Sequence, residues 1–305
     1  MEPIRFSYST VDQPLLQRAV IRAIEKLGGQ PRLKRLYDRH VRDPRPGESF
    51  FDAAVRLLNL EVRFDASRLA RVPRTGPVLF VANHPYGVLD GIVLAWLAMK
   101  VRPDVKVLAH SVLCQAPEAR ANLMPVDFSP THEARATTLQ TRRRAQDWLQ
   151  RGQAVAIFPG GGVSISARPL KGPAIDFAWA PFTEKLVRTS KAVVVPVCFM
   201  GQNSRLFQLA SHLSMTLRLS LMFRETTRRI GTRLDVRVGP PIPYDELAGF
   251  TGRSQLIAEL RRRTFSLAID PDGVLSPPGR YLRPVPLKVY RKPELLTSSR
   301  RSARG

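Results

Sequence analysis

The chain has 305 residues, 44% of them hydrophobic, enough to bury the core of one large α/β domain or two smaller ones. A formal charge of +23 and a pI near 11.2 point to an anionic partner: nucleic acid, a membrane of acidic lipids or an acidic carrier protein. Zinc-finger spacing, an RNA-recognition signature and aromatics interleaved with the basic runs are all missing, which disfavours nucleic acid, and no run nears the ~20 apolar residues needed to cross a bilayer.

In chain order, residues 13–28 read as an amphipathic helix. Leu16, Val20, Ile24 and Leu27 recur at helical spacing beside a basic stripe of Arg18, Arg22 and Lys26. It is either an interfacial helix lying on anionic headgroups or an ordinary surface helix packed on the core. A basic piece, Arg32 to Arg39, follows, with His40 read as a surface residue; then come a Pro-rich loop, a helix from Phe50 to Leu60 and a strand at Glu61–Phe64. From Val78 strands alternate with helices: strand 78–82, helix to Met99, strand 105–109, an irregular segment 115–122, strand 123–126, helix 131–150 and strand 154–158. A helix from Pro181 to Ser190, a strand from Ala192 to Val197, one long helix from Phe207 to Arg229 with outward Arg residues, and a strand at Leu234–Val238 complete the series. The alternation predicts an α/β fold: a largely parallel sheet flanked by helices, with an N-terminal helical segment and the site at the C-terminal ends of the strands. The expected division is 1–60 helical, 61–270 α/β and 271–305 a basic, loosely attached tail.

The informative stretch is Val78-Leu-Phe-Val-Ala-Asn-His-Pro-Tyr-Gly-Val-Leu-Asp90. An apolar strand delivers His84 and Asp90 to its C-terminal end; Pro85, without an N–H, stops the ladder, and Gly87 permits the turn. The pair suits a general base with its orienting carboxylate. The alternative is a strand–turn–helix in which Asp90 merely occupies a helix's first turn. No Ser or Cys nucleophile lies in this turn, so the hydroxyl to be activated belongs to a substrate. Asn83 is a candidate for substrate contact or, more simply, for orienting the turn through side-chain hydrogen bonds to backbone. Gly160, Gly161 and Gly162 follow a buried strand, but no Gly-Lys-Ser/Thr follows them, which excludes a nucleotide P-loop; their N–H groups are candidates for an oxyanion or headgroup. Ser164 is a candidate donor to the acceptor, and Asn203, Ser204 and Arg205 are either headgroup contacts or a polar loop cap. Cys114 and Cys198 read as reduced core residues of a cytoplasmic protein, and His110, His132 and His212 fall in no ligand spacing, so no metal is assigned.

Asn83-His84 followed by Asp90 resembles the first motif of the PlsC-type glycerolipid acyltransferases, the lysophosphatidate acyltransferase superfamily. Leu123–Asp127, Phe158-Pro-Gly-Gly-Gly-Val-Ser164 and Val193-Val-Val-Pro-Val197 fall where that family has its second, third and last motifs, so the resemblance covers about residues 55 to 245. Two departures stand out. Five residues separate His84 from Asp90 where the family has four, and on a helix one extra residue would swing Asp90 by about 100°, so the insertion belongs in the Pro85–Gly87 turn. Gly160 and Val163 replace the third-motif Glu and Arg, and no Arg accompanies Asp127. The family associates those residues with the acceptor phosphate, which is poorly held without Arg or Lys.

With Asn-His-Pro-x-Gly-x-Leu-Asp-Gly and Gly201-Gln-Asn-Ser-Arg-Leu-Phe207, the chain is most similar to a haemolysin-labelled branch that includes acyltransferases of ornithine lipids and related aminolipids. The resemblance implies direct O-acyl transfer from acyl carrier protein or acyl-CoA to a lyso-aminolipid, with those thioesters as co-substrates and no cofactor. Lysophosphatidate is the alternative acceptor. With no spanning run and a strongly basic composition, the chain is expected to attach peripherally to the cytoplasmic face of an anionic inner membrane. The reading from another class is a non-catalytic basic protein that binds membranes or nucleic acid.

Overall fold

The computed structural model describes residues 7–9, 13–110, 114, 116–126, 131–273 and 276–285. Among the described residues, nine strands are β1 Glu61–Arg63, β2 Val78–Ala82, β3 Lys106–His110, β4 Leu123–Val126, β5 Ala154–Ile157, β6 Ile165–Arg168, β7 Lys171–Ile175, β8 Val193–Phe199 and β9 Arg233–Val238. The helices are α1 Leu15–Leu27, α2 Gln30–Arg42, α3 Phe50–Leu57, α4 Ala66–Ala70, α5 Val88–Met99, α6 Pro117–Arg120 and α7 His132–Gln150. After them come α8 Pro181–Ser190, α9 Arg205–Leu213, α10 Met215–Ser220, α11 Met222–Arg228, α12 Tyr244–Ala248, α13 Arg253–Ser266 and α14 Gly279–Leu282.

Seven strands form one sheet in the order β1-β9-β8-β2-β5-β3-β4. β2, β3, β4, β5 and β8 run parallel, while β9 pairs antiparallel to β8 and carries β1 with it. β2 is central and buried along its whole length because both sheet faces are covered. Its alternate residues divide accordingly: Val78, Phe80 and Ala82 enter the core beneath α3 and α5, and Leu79 and Val81 enter the core beneath α7, α8 and α13. Register places Val78 opposite both Ala154 and Val193, so β2, β5 and β8 end side by side.

Several expectations need correction. The long helix from Phe207 to Arg229 is three helices, broken where Ser214 turns extended (φ −160°, ψ 134°) and again at Leu221. The break turns Arg218 inward, and it is buried, not outward-facing. His40 is buried edge-on to Phe50, with ring centroids 6.3 Å apart, where a surface position was read. The 115–122 segment holds the short helix α6. The β6–β7 hairpin and α13 add to the expected elements; Pro169 and Pro173 obscure the hairpin's strand signal. Within the expected tail, α14 and Val285 return to the core, Val285 bridging to Phe177; residues 286–305 lie outside the described residues, as does Asp127.

α1 packs on α10 and α11 with Ile21 and Glu25 inward, and Ile24 is half-buried against the Phe207–Met222 cluster. Of the apolar stripe read from its spacing, Leu16, Val20 and Leu27 face outward, joined by Leu15, but Ile24 does not. Arg18 is half-buried, while Arg22 and Lys26 are exposed. Among the described residues no helix is long and apolar enough to cross a membrane.

Candidate active site

β2 delivers Asn83 and His84 at the end of an apolar run. The Asn83 amide donates to the Phe199 carbonyl at 2.9 Å and accepts the Phe199 N–H at 2.7 Å, clamping the turn to the end of β8. It is buried in this role. The turn ends at Gly87, with φ 78°, and α5 begins at Val88, so the extra residue between His84 and Asp90 is taken up before the helix. A Cβ at Gly87 would stand 2.9 Å from Met222 Sδ and 3.0 Å from Val163 Cγ2, so the turn packs tightly against α11 and the loop after β5.

His84 Nδ1 lies 3.1 Å from Asp90 Oδ2, with the ring's side chain 16% exposed and Asp90 fully buried. The contact falls short of a well-formed hydrogen bond. Asp90 Oδ2 also accepts the N–H groups of Tyr86 (2.6 Å) and Gly87 (2.9 Å). Asp90 is thus in the first turn of α5 and at the imidazole at once; the structural and chemical readings describe one carboxylate. Burial raises its pKa above the ordinary carboxylate value, opposed by His84 and the two N–H groups. With Asp90 on Nδ1, Nε2 is the nitrogen left for a substrate. The opposite face of the ring assembly is Phe158, stacked at 4.1 Å and 28°.

The loop after β5 completes the site. Gly161, with φ 68°, closes a turn by donating its N–H to the Phe158 carbonyl at 2.9 Å, so that N–H is not an oxyanion donor. Gly160 and Gly162 flank it, half-buried. Ser164 is buried: its N–H donates to the His84 carbonyl at 2.7 Å and its hydroxyl to Asp176 Oδ1 at 2.5 Å. It belongs to the site but faces Asp176 instead of an acceptor. Asp176, which the sequence reading passed over, also accepts the His84 N–H (3.2 Å) and the Trp179 indole N–H (3.0 Å). A lone acid inside the apolar run Ala174-Ile-Asp-Phe-Ala-Trp179 was the available signal, since a buried carboxylate persists only with donors around it.

The 203–205 segment follows β8 and leads into α9. Asn203 is buried, and its Nδ2 has no hydrogen-bond partner among the described residues. Ser204 caps α9 and donates from both N–H and hydroxyl to Glu225, while Arg205 is exposed and donates to the Gly172 carbonyl of the β6–β7 hairpin at 2.8 Å. The polar-cap reading fits Ser204 and Arg205. A cation does reach the glycine loop: Arg218 donates to the Val163 carbonyl, between the rings of Phe177 and Phe207, and burial pulls its pKa down to about 9. Tyr86 donates to the Met200 carbonyl at 2.6 Å under the Arg229 guanidinium. Burial pushes the Cys114 and Cys198 thiols up to about 11 and about 12, so neither is a thiolate at neutral pH. A separate cleft of about 470 Å³ opens beside the β1–β9 edge; its Arg63, Arg68 and Arg233 are paired with carboxylates.

A family model described as acyltransferase matches residues 39–272. Two relatives are similar over 65% of the chain. Both are lyso-glycine lipid O-acyltransferases: one from Phocaeicola vulgatus, 23% identical with 70% of its length covered, and one from Bacteroides thetaiotaomicron, 24% identical with 72% covered. Among solved structures, the 1-acyl-sn-glycerophosphate acyltransferase PlsC from Thermotoga maritima aligns over 83% of this chain and 80% of its own, with 15% identity and a TM-score of 0.44.

Proposed function

The chain belongs to the acyltransferase family, and from that premise we propose that it O-acylates the free hydroxyl of a lyso-aminolipid, with His84 as general base. The observation that carries this reading is the His84 Nδ1 to Asp90 Oδ2 contact of 3.1 Å at the end of β2, with Asp90 buried and the His84 side chain still partly exposed. Nε2 takes the proton of the acceptor hydroxyl as the oxygen attacks the thioester carbonyl of an acyl carrier protein or coenzyme A. Asp90 stabilises the imidazolium; the tetrahedral intermediate then collapses, the C–S bond breaks and the departing thiolate takes the proton back from Nε2. Both thiols are raised in pKa and the Ser164 hydroxyl is engaged with Asp176, which supports direct transfer without an acyl-enzyme.

A lyso-aminolipid acceptor is supported by the names of the two relatives and by Gly160 and Val163 at the third-motif positions for Glu and Arg. Arg218 at the Val163 carbonyl favours a second reading, lysophosphatidate, because its cation sits beside the position that lost one. Outward Leu15, Leu16 and Leu27 with exposed Arg22 and Lys26 support peripheral docking of α1 on the anionic, cytoplasmic face of a membrane. The test is a panel of lyso-glycine lipid, lyso-ornithine lipid and lysophosphatidate, each with palmitoyl-acyl carrier protein and palmitoyl-CoA. Faster O-acylation of a lyso-aminolipid supports the proposal; faster acylation of lysophosphatidate overturns the acceptor assignment in favour of the second reading.

A further inference from the structure

His84 is gripped at its main chain as well as at its ring. Pro85 has no N–H, so the His84 N–H is the last donor before the turn, and it goes to Asp176 Oδ1, a carboxylate brought in from the end of β7. Asp176 is wholly buried, and its two oxygens gather donors from three segments: His84 after β2, the Ser164 hydroxyl after the glycine loop, and the Trp179 indole ahead of α8. The Asp176 backbone is itself fixed, because buried Arg261 of α13 donates to the carbonyls of Asp176 (3.1 Å) and Phe177 (2.9 Å). The space beside it is filled to the limit. A Cβ at Gly160 would lie 3.2 Å from Asp176 Cβ, and Gly160 does not take a positive φ, so a side chain there would press on Asp176 and meet no backbone penalty.

From this we infer that Asp176 is a positioning residue for the His84 base: it sets the main chain from which the imidazole reaches Asp90, and it occupies the place of a side chain at position 160. Two carboxylates then hold one histidine, Asp90 at Nδ1 and Asp176 at the amide. The inference rests on the proposed role of His84.

The test compares Asp176→Asn, Asp176→Gly and the double variant Gly160→Glu/Asp176→Gly with wild type, on lyso-glycine lipid and palmitoyl-acyl carrier protein, with amide hydrogen exchange followed at the peptide containing His84. Asp176→Asn keeps the size but turns an NH2 toward a donor. It should lower kcat by about 10–100-fold with acceptor KM within about twofold, since a misplaced base costs rate more than binding. Exchange at the His84 peptide should quicken relative to that of the β2 peptide. The double variant, which returns a carboxylate from position 160, should recover kcat by about tenfold over Asp176→Gly. Asp176→Asn with kcat within twofold of wild type, an equal loss in kcat and KM, or a folded double variant no better than Asp176→Gly would each overturn the inference.

Where Asp176→Asn does not fold, Trp179→Phe removes only the donor to Oδ2. A fall of about threefold in kcat at constant KM supports the inference, and an unchanged kcat overturns it. His84→Ala separates the two levels. Full activity in that variant ends the proposed role of His84 itself, whereas an inactive His84→Ala beside a normal Asp176→Asn ends only the positioning role. The exchange readout holds whatever the true acceptor is.

Discussion

The end of the sheet around His84 and the helical cover made by α1 both bury carboxylates, and Asp90 in the first and Glu25 in the second are secured differently. Asp90 takes two N–H donors from its own turn and stands 3.1 Å from a ring six positions back in sequence. Glu25 takes the Tyr8 N–H and the Ser7 hydroxyl, both at 2.7 Å, from a segment seventeen and eighteen residues away. The first arrangement follows from a few neighbouring residues; the second exists only once separate elements have packed. The outward surfaces differ in the same sense. The site end keeps its large side chains inside, while α1 leaves Leu15 80%, Leu16 78% and Leu27 89% exposed. The His84–Asp90 pair sits on one locally wired turn, whereas α1 presents large apolar side chains outward.

The largest effect that would sharpen this contrast is at Asp90. Asp90→Asn keeps the turn's shape but removes the charge facing Nδ1; kcat should fall by about 10²–10⁴-fold with KM little changed, and an unchanged turnover number would remove Asp90 from the site. Next is the scaffold behind the turn. Gly201 has φ 103°, and a Cβ there would stand 2.0 Å from the Tyr86 hydroxyl, so Gly201→Ala should cost ~2–4 kcal/mol in denaturant unfolding. A change under ~0.5 kcal/mol would mean that the Tyr86 to Met200 contact does not hold this edge.

In the cover the expected changes are smaller and affect binding before stability. Replacing Leu15 and Leu16 with Gln should weaken binding to acidic vesicles by about tenfold or more, given ~1.5–3 kcal/mol for each fully buried apolar side chain, with no loss of folding stability. Unchanged vesicle binding would place the docking surface elsewhere. The smallest effect is a pH dependence at Glu25. Burial raises its pKa, so the folded state holds the proton more tightly than the unfolded chain does. Its effect on stability is therefore to lower it as pH rises from the ordinary carboxylate pKa through the raised folded value. Glu25→Gln should flatten that part of the stability-versus-pH curve, measured by thermal melts; a curve identical to wild type would show that Glu25 is not desolvated.

The same division governs what could be read from the sequence. β2, β5, β8 and α8 were legible because unbroken apolar runs bounded by Pro, Gly and Asn leave few alternatives. The His84–Asp90 pairing was legible because both residues lie on one turn. Asp176 was not, because its partners at positions 84, 164 and 179 meet only through the β6–β7 hairpin, whose prolines mask its strands. The break at Ser214 was equally hidden. No Gly or Pro marks it, and it follows from packing Phe207, Leu221 and Met222 against Val163 while Arg218 turns inward. Ile24 keeps its helical period yet faces α10 and α11, which periodicity alone does not distinguish from solvent or lipid.

The measurement closest to the central claim is single-turnover acyl transfer by purified His84→Ala beside wild type, with the acceptor and donor that the panel selects and the O-acyl product read by mass spectrometry. Loss of about 10³-fold or more in the transfer step, with vesicle binding and thermal stability retained, is the predicted result for removal of the general base. Transfer at the wild-type rate would contradict it.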